Sequence, residues 1–571
     1  MTKDSIIRSL ESNGQAGNRL AKLPPEEPDA LVAHVRVCEG PGPEGPGLLG
    51  KINYCSRKIQ ALVVVGFLTA TGLYAQEPNP QPTAPAGNNA SQIEIRVNLE
   101  KVVHTMAGGI GASWHAMGPD VIHYPDLIGR DNRACKGSAY GGNPPVIPAF
   151  DKAWGDVYRH ARWLGLDFIR AEIAMDMYNP RRGEFVWDND EMKTLYRILE
   201  HCSKNKVDVY MTMQWQGVAW NAHPGINRLQ SSPKSVEDFA VSYATLLEHL
   251  VKTKGYDCIR WITVNNEPGM GSGWWQGSDR KPDSIMPAMR ATRAELNKRG
   301  LQTIVLCGPD GHEVNSGNFD SKDPAVGAMA LHCYSGKFRT KFAEGLKLAN
   351  ERKLPFFLAE FGTFFMAKFE GDNMALGGPR SEAPKSYDHQ MTNAEKILVG
   401  LNMGIDGFNR WSFLNRGDLD GQWQLVRTWN PNLWDFKQSV EPEPVPYYSF
   451  GIITRFTAKH SSVLETLGGS ENLIATALRS PKGQLTLFLL NLSNNKMAVN
   501  IGFSAPPQAL LLKGYQVTSA AVSTSGFKLE PINTVTIEKD KPALKVSIPA
   551  RSITAYTTYD LDPSADGIMS E

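Results

Sequence analysis

The sequence predicts an α/β chain: a (β/α)8 barrel, the TIM-barrel architecture, carrying a C-terminal β-sandwich domain. Three observations predict it. Between residues 93 and 460 one unit recurs, a short apolar strand, then a polar or glycine-rich loop, then an amphipathic helix. That alternation calls for a parallel sheet covered by helices. Eight such units fit into about 370 residues, which suits a closed barrel with long loops. Past residue 460 the pattern becomes short alternating strands separated by turn residues, the mark of a sandwich.

The elements follow in chain order. Residues 1–50 show no periodic pattern and read as a mis-set N-terminal extension. Residues 51–75 place Lys51, Arg57 and Lys58 before an uncharged apolar stretch that ends on the small residue Ala75. This is the layout of a secretory signal peptide; an uncleaved signal anchor is the rival. The apolar stretch is short for a bilayer span, which needs roughly 20 residues. The expectation is an exported protein, periplasmic or extracellular, with no stable membrane insertion after cleavage. Residues 76–92, rich in Pro, Ala and Asn, form a linker.

Residues 93–461 form the barrel. The eight strand candidates are 106–113, 166–173, 207–213, 259–265, 303–308, 328–334, 355–361 and 405–411, with helical stretches such as SVEDFAVSYATLLEHL between them. A doubly wound open sheet is the competing arrangement, but it would carry a full glycine-rich phosphate turn after its first strand. GGIGAS does not complete that pattern. Residues 447–460 read as the last barrel helix. Residues 462–561 form the sandwich and 562–571 a tail; strand 93–100 alternates in the same way and is a candidate to join the sandwich.

Lysine plus arginine (60) nearly cancels aspartate plus glutamate (59), so nucleic acid is not an expected partner. Of the seven cysteines, Cys135, Cys202, Cys258, Cys307 and Cys333 lie beyond Ala75, and none forms a CxxC pair. No metal site is expected from that spacing. Thirteen tryptophans are present, and flat aromatic faces suit sugars as well as cores.

Two glutamates fall at strand C-terminal ends, the face that carries barrel active sites. Glu267 follows the strand WITVNNEP, and Glu360 ends FFLAEFG. Their spacing of three strand–helix units puts both on one rim. Paired carboxylates across a cleft are the machinery of glycoside hydrolysis, one protonated and one ionised. Salt-bridged rim residues are the plain alternative for either one alone.

These residues resemble the clan A glycoside hydrolases, which carry Asn-Glu-Pro at the end of barrel strand 4 and a glutamate at the end of strand 7. Asn266, Glu267 and Pro268 match the first element and Glu360 the second. Family 30 is most similar, through GGIGASW, YYSFGIITRF and a sandwich drawing on both chain ends. Asn265 stands where that family usually has glutamine, so families 5 and 39 stay open.

The resemblance implies retaining hydrolysis of β-glycosidic bonds, with Glu267 as acid/base and Glu360 as nucleophile. It also implies that Arg170 supports the nucleophile, that His332 and Tyr334 form a strand-6 His-x-Tyr, that Trp411 floors the subsite and that Asn266 binds a sugar hydroxyl. Trp215 after strand 3, with Gln214 and Trp220, is a candidate for stacking on sugar; so are Trp274 and Trp275. Trp114 and His115 after strand 1 and Asp310 after strand 5 share the rim by position. The expected partner is a neutral or weakly charged oligo- or polysaccharide, and no cofactor is needed. A carbohydrate-binding protein that has lost catalysis is the reading from another class, and a metal-dependent hydrolase is a third.

Overall fold

A computed structural model describes residues 93–116, 142–269, 275–362, 385–414, 423–430, 435–504, 506 and 508–568. The expected extension, signal peptide and linker lie outside the described residues, as do Cys135 and Trp274. Among the described residues no helix is long and apolar enough to cross a membrane.

The first strand, β1 (Ile93–Thr105), belongs to the C-terminal sheet. The barrel follows: β2 (Ile110–Ala112), β3 (Phe168–Ala174), β4 (Asp208–Trp215), β5 (Ile259–Thr263), β6 (Val305–Gly311), β7 (Ala328–Cys333), β8 (Phe356–Phe361) and β9 (Gly407–Arg410). All neighbours pair in parallel, in the order β2-β9-β8-β7-β6-β5-β4-β3. The ring closes just past β2, where the amides of Trp114 and Ala116 donate to the carbonyls of Arg170 and Glu172 at 2.8 and 3.1 Å. Gly111 makes that closure possible, because a Cβ there would sit 1.5 Å from the Phe168 carbonyl oxygen.

The covering helices are α1 (Asp151–Leu164), α2 (Asp190–Lys204), α3 (Val236–Glu248), α4 (Met286–Lys298), α5 (Phe338–Arg352), α6 (Tyr387–Met403) and α7 (Pro444–Thr454). Local chemistry sets their ends. The side chains of Asn189, Ser235 and Ser386 cap α2, α3 and α6, each accepting from a backbone amide one turn in. Gly165 and Gly404 end α1 and α6 in the left-handed conformation.

Alternation along the strands divides the barrel into two cores. Phe168, Tyr210, Cys307, Ala328, Ala330, Phe357 and Ala359 fill its interior, with Trp261 and Val305 beneath them. Their neighbours in sequence, such as Ile169, Met329 and Leu358, face the helices. The strands are therefore buried on both sides and read as nearly continuous apolar runs.

A two-stranded ribbon, β10 (Val426–Asn430) with β11 (Asp435–Pro442), precedes α7. The sandwich comprises β12 (Ser462–Gly468), β13 (Leu473–Arg479), β14 (Leu485–Asn491), β15 (Met497–Phe503), β16 (Leu510–Thr518), β17 (Asn533–Ile537), β18 (Ala543–Ile548) and β19 (Ser552–Thr557). Together with β1 these form one nine-stranded sheet, ordered β17-β16-β19-β14-β13-β12-β1-β15-β18, folded over a core of its own. β1 runs antiparallel to β12 and parallel to β15. The middle strand β14 shows the period of two plainly. Leu487 and Leu489 face the sandwich core, while Phe488 and Leu490 join the barrel's core.

Candidate active site

Three departures from regular strand geometry aim the polar residues into the barrel mouth. On β8, simple alternation from Phe357 and Ala359 would turn Glu360 outward. The register with β7 slips there: Leu331 pairs with Leu358, but His332 pairs with Glu360. Ala359 is the extra residue of a β-bulge, which returns Glu360 to the interior beside His332. On β6 the register slips between Pro309 and Gly311, and Asp310 adopts a φ of +56°. Glu267, beyond the end of β5, has a φ of +46° and is tied by its amide to the Asp310 carbonyl at 2.8 Å. Non-glycine residues in this region are strained and concentrate at functional sites.

Arg170 lies at the centre of the cluster. It is fully buried and shares Nη1 between Glu360 Oε2 at 2.9 Å and Glu172 Oε1 at 2.5 Å. Its Nη2 donates to Asp310 Oδ2 at 2.9 Å and to the Asn266 side-chain oxygen. The Tyr334 hydroxyl donates to Glu360 Oε1 at 2.5 Å, so both nucleophile-candidate oxygens are held. Gly362 leaves the tyrosine room: a Cβ there would be 2.8 Å from its ring. The buried ammonium of Lys396 on α6 donates to the carbonyls of Cys333 and Gly362 at 3.1 and 2.6 Å, fastening the ends of β7 and β8 together.

Glu267 sits among histidines. Its Oε1 is 2.8 Å from His332 Nδ1 and 2.9 Å from His312 Nε2. Its Oε2 has no hydrogen-bond partner among the described residues. Burial alone would push this carboxyl up, but His312 and then His332 more than reverse that and hold it well below the usual range. His332 moves the other way. Burial disfavours its charge, yet Glu360 and Asp310 raise it to about 10. Its Nε2 lies 3.2 Å from Asp310 Oδ1. Burial, with a further push from Glu360, raises Glu172 to about 8 against the pull of Arg170. An oxygen of Glu267, an oxygen of Glu360 and a ring nitrogen of His332 all lie within 4.8 Å of one another.

The structure thus brings Glu267, Glu360, Asn266, Arg170, His332, Tyr334 and Asp310 into one buried cluster. Trp411 stands beside it with its ring 4.6 Å from that of His115, and with Tyr334 and Trp423 it forms a small aromatic group. His115 Nδ1 is 3.2 Å from Glu172 Oε2. Trp114 does not reach the site. Alternation turns it outward, its ring packs against Tyr158, His201 and Phe413, and its Nε1 donates to Asn143 at 2.7 Å. Trp215 lies in the main core, just past a slip in the β3–β4 register. Trp275 is packed edge-on against Phe239 of α3, and Trp220 donates to the Asn179 carbonyl at 3.1 Å.

Sequence reasoning missed Glu172 and His312. The period of two in IRAE puts Glu172 on the same face as Arg170, a signal that could have found it. His312 follows the bulge at Asp310, and no spacing rule announces it.

Solved structures share this fold. A glycoside hydrolase family 30 subfamily 8 xylanase from Clostridium acetobutylicum aligns at 14% identity over 81% of this chain and 99% of its own, with a TM-score of 0.52. An endo-β1,6-glucanase aligns at 14% identity over 83% and 95%, with a TM-score of 0.54. A conserved exported protein from Bacteroides fragilis aligns at 10% identity over 81% and 99%, with a TM-score of 0.55. No protein-family model matches the chain, and no curated protein does. At these identities the likeness is one of fold: a (β/α)8 barrel with a β-sandwich, spanning nearly the whole of each of these structures.

Proposed function

We propose that this chain is a retaining glycoside hydrolase acting on β-linked, neutral or weakly charged glycans. The observation that carries the reading is the pair of buried carboxylates, Glu267 and Glu360, with oxygens within 4.8 Å across the barrel mouth. Carboxyl groups about 5–5.5 Å apart suit attack by one of them, whereas an inverting enzyme needs about 6.5–9.5 Å to admit a water. Neighbours named as glycoside hydrolases on the same fold support it.

In this mechanism Glu360 attacks the anomeric carbon to form a glycosyl-enzyme. Tyr334 and Arg170 hold its oxygens and keep the attacking lone pair oriented. The partnerless Oε2 of Glu267 meets the leaving oxygen. The carboxyl gives that oxygen a proton held on Oε2, and the charge left behind is stabilised at Oε1 by its contacts to His332 and His312. Once the leaving group departs, the Glu267 carboxylate takes a proton from water, and that water cleaves the ester to Glu360. Asn266, positioned by Arg170, is placed to bind a hydroxyl of the sugar beside the reacting carbon. Trp411 and His115 form a wall of the same subsite. Export is part of the reading, supported by the 51–75 pattern and by the likeness in fold to a conserved exported protein.

The test is a panel of aryl β-glycosides and β-glucan and xylan polymers, run on the purified protein and on Glu267→Ala with azide. Turnover of one sugar class, with the variant rescued as a β-glycosyl azide, is the expected result. Binding of glycans without turnover of any of them would move the chain to the carbohydrate-binding reading.

A further inference from the structure

Beside Glu172, which keeps its proton, the described site sets three further carboxyl groups, Glu267, Asp310 and Glu360, against one permanent cation, Arg170, and all five side chains are at most 3% exposed. Buried negative charge in that excess demands compensation, by protons or by another cation. Proton uptake on His332 is one answer. The geometry supplies a second.

His332 is oriented as a ligand-bearing histidine is. Its Nε2 stands 3.2 Å from Asp310 Oδ1, and its Nδ1 faces Glu267 and Glu360. A carboxylate behind a histidine, fixing its tautomer and ring plane, is the usual outer-shell arrangement at metal centres. In front of Nδ1 lie Glu267 Oε1 at 2.8 Å and Glu360 Oε2 at 3.8 Å, and His312 Nε2 is 2.9 Å from the same Glu267 oxygen. Ligand atoms about 2.0–2.2 Å from a tetrahedral ion stand about 3.3 Å apart, so shifts of a few tenths of an ångström to an ångström would admit one. The Arg170 charge does not forbid this, because Glu172 and Asp310 also share it.

We propose that Glu267, Glu360 and His332 form a binding site for a divalent transition-metal ion, with His312 at its edge against Glu267. One imidazole nitrogen and two carboxylate oxygens, with water completing the shell, suit a borderline ion of the Zn2+ and Co2+ class better than Mg2+ or Ca2+, which prefer all-oxygen shells. Resting on the glycosidase reading above, the ion is an inhibitor: it holds the attacking and proton-donating carboxylates at once and occupies the place of the anomeric carbon.

Co2+ reports its own coordination, so the test does not depend on turnover. The metal-stripped full chain is titrated with Co2+, followed by visible absorption, and then with Zn2+ as competitor. The expected result is one equivalent of Co2+ with the intense visible bands of a tetrahedral site, no thiolate charge-transfer band, and displacement by Zn2+. His332→Asn should weaken binding by more than the roughly 10–100-fold that loss of an outer-shell partner costs, and His312→Gln, which removes a contact to the ligand Glu267, by about that factor. His312 is 17% exposed at the edge of the cluster, so its variant carries the test should the buried His332 variant fail to fold. Unchanged Co2+ affinity in the His312 variant, or a spectrum dominated by thiolate, would overturn the site. In the glycosidase assay, Zn2+ should inhibit competitively with substrate and a chelator should restore activity. Turnover indifferent to Zn2+ at saturating occupancy overturns the inhibitory role and leaves the glycosidase reading intact. Histidine-dependent Co2+ binding in a protein without turnover upholds the site while the glycosidase reading fails.

Discussion

Glu360 has each oxygen held by a different donor, and the two donors differ in what they contribute. Arg170 is a buried permanent charge tied to four partners, so altering it disturbs the whole cluster. Tyr334 can be changed more cleanly, because phenylalanine keeps its packing against Trp423 and removes only the hydroxyl. A hydrogen bond to a charged acceptor contributes about 1.5–3 kcal/mol, so Tyr334→Phe should lower kcat by roughly 10- to 100-fold with the fold intact. Steady-state kinetics beside a melting curve checks it, and an unchanged kcat would mean that the tyrosine does not serve the nucleophile. The pair of buried carboxylates at the barrel mouth was legible because Asn266–Glu267–Pro268 and the lone acid in FFLAEFG sit against strand patterns that make them conspicuous. The residues around the pair were less so. Trp114 and His115 are adjacent in sequence and looked equivalent by position, yet alternation sends one to the helix layer and the other to the site. His312 owes its place to the bulge at Asp310, a backbone event that side-chain pattern does not encode.

Elements meet at the floor of the barrel through Asp167, just before β3. Its carboxylate accepts from the amide of Ile110, at the start of β2, at 3.2 Å and from that of Lys459, beyond α7, so one side chain joins the first barrel strand to the exit toward the sandwich. Burial raises this carboxyl to about 7, against the pull of Lys459. The sign follows from linkage. The folded state keeps a proton that the unfolded chain, with its carboxyl near 3.9, has released, so stability falls as pH rises from about 4 to about 7 and levels off above. Asp167→Asn resembles the protonated form and should remove that dependence. Between pH 4 and pH 7 the stability difference between variant and parent should move in the variant's favour by on the order of 4 kcal/mol. Denaturant unfolding at both pH values tests this, and parallel profiles would refute it. At this scale the eight barrel strands were legible to within a few residues, since strands buried on both faces form apolar runs with turn residues between them. The ribbon β10–β11 was not anticipated, because VRTWN and DFKQSVEP are too polar and irregular to stand out as strands. The alternation in 93–100 marked it as a candidate for the sandwich, and β1 does pair into that nine-stranded sheet.

The chain crosses between barrel and sandwich more than once, and this governs how the molecule holds together. β1 enters the nine-stranded sheet from one side of the barrel and β12 from the other, and the two pair directly. One face of that sheet then covers barrel helices. Phe488, Leu490, Tyr515, Val517, Ile553 and Ala555 are buried within the barrel's own core cluster. Hydrogen bonds stitch the seam, among them Asn402 to the Ala475 carbonyl at 2.9 Å, Tyr387 to the Val517 carbonyl at 2.9 Å and Thr476 to the Leu398 carbonyl at 3.1 Å. Beyond β19 the chain returns to α1 and α7, where the amides of Gly567 and Ile568 donate to the carbonyls of Arg162 and Arg455 at 2.8 and 3.1 Å. Each large apolar side chain uncovered at such a seam forfeits about 1.5–3 kcal/mol, and ordinary stability margins are about 5–15 kcal/mol. Removing residues 462–571 would expose α6 and α7 and strip β1 of both its neighbours. The truncated chain should therefore accumulate as insoluble protein, even though every residue assigned to the site lies before the cut. Expression of 93–461 beside the full chain, compared by soluble fraction and turnover, is the direct test. A soluble and fully active barrel would show that the sandwich is an appendage, and the seam would then need a role other than stability.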